Sequence, residues 1–102
     1  MRATILIAFL TLTACPRNLG PSGPADSYNE QCVVLMHQGD LVQAEIACEH
    51  SLEFKPDHAE GLNNLGLIFQ MRADLKKAKE LFIRAIRANP DMAQAYNNLG
   101  VI

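Results

Sequence analysis

Nucleophilic, redox or metal chemistry in this 102-residue chain would have to come first from Cys15, Cys32, Cys48, His37, His50 and His58. A catalytic cysteine or serine needs a base within hydrogen-bond reach, and usually a helix N-terminus or Gly-rich turn that exposes it. The three histidines fall at unrelated places in the sequence pattern, no such nucleophile sits beside one, and no phosphate-cradling glycine motif occurs. Metal binding by Cys32, Cys48 and His50 fails on spacing. Cys48-x-His50 lacks the three- or four-residue step that would put both ligands on one helix face. The expectation is a protein that is not an enzyme, with no metal and no cofactor.

What the chain can position follows from its composition. Nine basic residues stand against eleven acidic ones, a formal charge of −2, and no consecutive block of like charge argues for nucleic acid or an anionic membrane surface. Tryptophan is absent, and only two tyrosines and four phenylalanines occur. Ala, Leu and Ile are frequent, which suits close-packed helices better than strands. One small all-α domain is the most this length can build.

The first residues read as an address. Arg2 precedes an apolar stretch, Ala3 to Leu12, interrupted only by Thr4 and Thr11. A membrane-spanning helix needs about 20 apolar residues to cross roughly 30 Å of hydrocarbon, so this shorter stretch fits the core of an export signal. Leu12, Thr13, Ala14 and Cys15 then resemble the lipobox of bacterial lipoproteins in all four positions. The resemblance implies removal of residues 1–14 and acylation of Cys15, which would become the lipid-anchored N-terminus. The alternative is ordinary secretion with cleavage near Ala14 and a plain thiol at Cys15. Residues 15–24 carry Pro16, Gly20, Pro21, Gly23 and Pro24 with no apolar period, the composition of a tether.

From Ala25 the sequence overlays itself at an offset of about 34 residues without gaps. Tyr28, Leu62 and Tyr96 align, as do Asn29, Asn63 and Asn97; Ala44 aligns with Ala78, Leu52 with Ile86, and Pro56 with Pro90. Leu62, Leu65 and Phe69, then Leu75, Ala78, Phe82 and Ala85, recur at three- and four-residue steps, so each set should form the core face of a helix. Gly66 and Ala78 are small where the two helices would touch. Asp74 can cap the second helix after a reversal at Ala73, and Pro90 ends it. The unit resembles the tetratricopeptide repeat, matching its Leu-Gly-x2-aromatic, Ala-x3-Phe, Ala and Pro signature, with Leu62 in place of the first aromatic. The resemblance implies a right-handed α-solenoid with repeats at 25–58 and 59–92 and the first helix of a third at 93–102. A chain ending inside that helix is expected to continue in the natural protein.

The first repeat diverges, with Gln31 and Cys32 where the second has Leu65 and Gly66, and Cys48 and Ser51 where it has Phe82 and Ala85. If its hairpin turns near Gly39 and Asp40, Cys32 and Cys48 lie at matched heights on antiparallel helices. Export to an oxidising compartment would then favour a disulfide over two buried thiols serving as small apolar groups. In the tetratricopeptide family the concave wall comes from the first helix of each unit. The positions that correspond here are Asn29, Val33, Met36 and His37, then Asn63, Leu67, Gln70 and Met71, then Asn97. An asparagine at the same place in each unit could hydrogen-bond an extended peptide backbone, or could serve only to build the repeat.

The function expected from these features is a protein-binding scaffold, lipid-anchored in the bacterial envelope on the periplasmic side of the outer membrane. Its partners would be envelope proteins or extended peptides, not nucleic acid. A narrower reading is a lipoprotein assisting assembly of the type IV pilus secretin, which also joins a lipobox to such repeats. A third makes the repeats the front of an enzyme, as in some glycosyltransferases; anchoring outside the cytoplasm argues against it, because nucleotide-sugar donors are mostly cytoplasmic.

Overall fold

The computed structural model describes residues 23–102, so the export segment, Cys15 and the tether up to residue 22 lie outside the described residues. Five helices follow one another: α1 (Pro24–His37), α2 (Leu41–Phe54), α3 (Ala59–Met71), α4 (Leu75–Ala88) and α5 (Ala93–Val101). There is no strand among the described residues. The tether is shorter than the sequence suggested, because Pro24 is the first residue of α1. A proline is tolerated there, since the N–H it lacks would have no intrahelical partner and its fixed φ already suits a helix.

Each hairpin is closed by the same local chemistry. In the first, Asp40 caps α2 by accepting from the Gln43 backbone N–H at 3.1 Å. In the second, Asp74 caps α4 by accepting from Lys77 N–H at 3.2 Å. Such caps contribute about 1 kcal/mol each. The preceding helices end in matching bonds, Asp40 N–H to Leu35 O at 3.0 Å and Asp74 N–H to Phe69 O at 2.9 Å. That closure forces the residue before each aspartate into the left-handed region. Gly39 takes φ +82° without strain, whereas Ala73 takes φ +65° with a Cβ that resists it. The helices leave the hairpins at Lys55 and Asn89, both extended because a proline follows.

The helices pack in two layers. Within each unit α1 lies on α2 and α3 on α4, while α2 also meets α3 and α4 meets α5. The first helices of successive units touch directly, α1 on α3 and α3 on α5. One continuous core runs through the stack, from Cys32, Ala44 and Cys48 through Leu62, Ile68, Ala78 and Phe82 to Ala85, Met92 and Ala95. At its centre Gly66 faces the ring of fully buried Phe82, and a Cβ on Gly66 would lie 2.6 Å from Phe82 Cε1. Leu75 does not join this core as its spacing suggested; at the first position of α4 it remains 47% exposed.

Candidate partner-binding surface

The aligned asparagines occupy the joints between units. Asn64 Nδ2 donates to Asn29 Oδ1 at 2.8 Å, and Asn98 Nδ2 donates to Asn63 Oδ1 at 2.9 Å. Asn29 is 7% exposed and Asn63 only 2%. They are therefore not the free groove amides the sequence suggested. First helices packed side by side come close enough for two short amides to span the gap, and a buried amide is costly unless it is paired. Asn97, at the equivalent place on α5, is exposed. The residues that sequence reasoning missed are Asn64 and Asn98. The doublets Asn63-Asn64 and Asn97-Asn98 were the available signal, because a bond from one unit to the next joins residues 35 positions apart.

Other expected groove residues divide by exposure. Val33, Met36, Leu67 and Gln70 are half-buried, while His37 and Met71 are exposed. Between α3 and α5 a recess of about 300 Å³ is lined by Asn63, Asn64, Leu67, Gln94, Asn97 and Asn98. Its wall mixes carboxamides with one leucine, a surface able to donate to and accept from peptide groups while offering an apolar contact. Close by in the sequence, the Gln70 side-chain oxygen is buried with no hydrogen-bond partner.

The histidines have separate roles. His58 caps α3: its Nδ1 accepts from the Gly61 backbone N–H at 2.9 Å, and its Nε2 lies 2.6 Å from Asp26 Oδ1 on α1. A backbone amide can only donate, so Nδ1 carries no proton and Nε2–H donates to the carboxylate. Beside it, Ser51 Oγ donates to Ala25 O at 2.7 Å. The His58 bonds tie the first turn of α1 to the start of the second unit, and the Ser51 bond ties it to α2 within the first. His50 instead lies 3.2 Å from Glu53 and packs near Tyr28, whose ring stacks on Phe54. The joint carries a further ion pair, Arg72 with Glu45. Near it Glu49 has its carboxyl pushed above the usual range, first by partial burial and then by Glu45, with Lys77 pulling the other way.

Cys32 and Cys48 are joined in a disulfide with Cα atoms 5.3 Å apart, and neither is exposed. They stand where the second unit has Gly66 and Phe82. The bridge thus replaces the glycine–phenylalanine interlock that holds α3 to α4.

Stacked helical hairpins with a continuous core and paired joints define an all-α helical-repeat solenoid. Residues 59–92, the unit with the Gly66–Phe82 contact, match the tetratricopeptide repeat family, whose repeats generally serve as protein-binding modules without catalysis of their own. No curated protein matches the chain.

Proposed function

We propose that the chain is a lipid-anchored scaffold of the bacterial cell envelope that holds an extended segment of a partner protein along the layer formed by α1, α3 and α5. The observation that carries this reading is the recess between α3 and α5, where Asn64, Asn97 and Asn98 surround Leu67. Met71, 56% exposed, adds an adaptable apolar contact on the same helix as Leu67. The lipobox at Leu12 to Cys15 supports anchoring, and a buried disulfide supports an oxidising compartment. Joining a lipobox to such repeats also supports a place among the lipoproteins that assist type IV pilus secretin assembly.

The test uses the complete protein and a partner recovered by crosslinking in the envelope. Asn97→Ala with Met71→Ala removes exposed groups and should weaken partner binding at least about two- to tenfold, since a lost hydrogen bond is worth about 0.5–1.5 kcal/mol and each 1.4 kcal/mol is a factor of ten. Helicity and melting should barely move. Ala78→Leu, at a fully buried helix contact, should lower stability first, by about 1–3 kcal/mol. A folded double variant that binds normally would rule out this surface. Anchoring is tested at one thiol: the full chain should label with palmitate and partition into detergent, and Cys15→Ser should do neither. A secretin that reaches full multimer yield without the protein would remove the pilus reading.

A further inference from the structure

Bulk charge conceals a strong internal separation. From Asp26 to Glu53 every charged side chain is a carboxylate, and the first base after them is Lys55. On α4 the balance reverses, with Lys76, Lys77, Lys79, Arg84 and Arg87 against Glu80 alone. The repeat places the reversal at equivalent points of two similar units: Glu45 corresponds to Lys79, His50 to Arg84, and Glu53 to Arg87. Glu49 and Glu53 on α2, and Lys76, Lys79, Arg84 and Arg87 on α4, are exposed. Among the described residues neither Arg84 nor Arg87 makes an ion pair. Apolar side chains accompany the charges, Ile46 on α2 at 41% exposure and Leu75 at the start of α4 at 47%.

We propose that the layer formed by α2 and α4 is a self-association surface, on which a second copy of this chain packs antiparallel, the acidic α2 of each copy against the basic α4 of the other. A two-fold axis that brings the first unit of one copy onto the second unit of its partner makes the reciprocal contact at the same time. One complementary pairing is therefore made twice, whereas a parallel arrangement would set like charge on like. Docked cations would also relieve the mutual repulsion of Glu45, Glu49 and Glu53. An anionic lipid surface fits less well, because α2 shares the layer with α4 and would be repelled from it.

The experiment uses full chains carrying two different epitope tags, co-expressed in a bacterium and extracted in mild detergent at about 50 mM salt, where exposed charges are weakly screened. Wild-type copies should co-purify, and recovery should fall at least about tenfold near 0.5 M salt. Glu49→Lys with Glu53→Lys makes the C-terminal half of α2 basic like that of α4, and Arg84→Glu with Arg87→Glu makes the C-terminal half of α4 acidic like that of α2. Neither variant should associate with itself, and the two together should recover the wild-type yield. Circular dichroism checks that each keeps its helicity; should a reversal unfold the chain, Glu49→Gln with Glu53→Gln must still weaken association. Folded reversed variants that fail to pair with each other would overturn the proposal. So would wild-type copies that never co-purify yet float with phosphatidylglycerol vesicles through Arg84 and Arg87, which would give the basic face to lipid.

Discussion

Gly66→Ala tests whether the middle unit is held by the close approach of α3 to α4. The added Cβ would meet the Phe82 ring at 2.6, 2.8 and 3.1 Å, and the first two distances are shorter than real Cβ contacts allow. Phe82 is fully buried, so its ring cannot swing into solvent. Overpacking of this kind costs about 1–3 kcal/mol, while replacing a helical glycine by alanine returns about 1 kcal/mol of helix propensity. The net expectation is a loss of up to about 2 kcal/mol, read as a lower urea midpoint at unchanged slope. The first unit supplies a sharper version of the experiment, because its disulfide stands at the equivalent positions. Gly66→Cys with Phe82→Cys should form a second bridge between α3 and α4. Reduced, this variant loses the phenylalanine and about 3–5 kcal/mol; oxidised, it regains about 3 kcal/mol from a loop as short as the native one, whose cysteines are 16 residues apart. Urea unfolding with and without reductant, beside mass mapping of the joined peptides, measures both. A Gly66→Ala protein at least as stable as the wild type would refute the close-contact argument, and a Cys pair that stays reduced under oxidising conditions would refute the equivalence of the two units.

Ala73→Gly should raise stability by about 0.5–1 kcal/mol in urea unfolding, since it relieves about 1–2 kcal/mol of left-handed strain at φ +65° but frees the unfolded chain by about 0.4–1 kcal/mol; Gly39→Ala should lower it by a similar amount. Asn63→Ala and Asn98→Ala should each destabilise the stack, and their double-mutant cycle should return a coupling of about 0.5–1.5 kcal/mol, with additive losses counting against the joint bond. Glu49 titrates higher in the folded protein than in an unfolded chain, so the folded state binds that proton more readily and this contribution to stability falls as pH rises through its range. Glu49→Gln should therefore stabilise the protein at neutral pH, with the advantage fading as pH drops into the carboxylate range. A pH-independent difference in thermal midpoint would contradict the cause assigned.

The architecture was readable because a period is a strong signal. The offset that aligned Ala44 with Ala78 and Pro56 with Pro90 also aligned the turns, and the structure places both hairpins where that alignment put them, with the expected Asp74 cap matched by an equivalent one at Asp40. What an offset cannot reveal is contact between units. It says that Asn29 and Asn63 are equivalent, and equivalence invites a common external ligand; the bonds instead run from each to the residue beside its counterpart, Asn64 and Asn98. The tie of His58 to Asp26 was hidden for the same reason, since neither residue repeats in the second unit. Periodicity also placed Leu75 in the core, because a step of three from Ala78 fits a helix face. Periodicity gives the face on which a residue lies, not whether another element covers it there.

The joint bonds bear directly on how such a surface would bind. Asn29 and Asn63 are buried at the joints, so they act on recognition through the spacing of α1, α3 and α5, whereas half-buried Asn64 and Asn98 each spend only one amide N–H on the joint. Between the first two units that spacing is set several times over, by the Asn29–Asn64 bond, the His58–Asp26 bond and the Arg72–Glu45 pair. The disulfide then fixes the outermost hairpin itself, where no earlier helix among the described residues covers Val34, Val42 or Phe54. In a solenoid each unit is stabilised mainly by its neighbours, so an end unit is the one most prone to fray. A frame over-determined at that end loses little conformational freedom when a partner docks, and the ordering cost falls on the partner's segment alone. Affinity must then come from side chains that remain exposed on this layer, Met71, His37 and Asn97 among them.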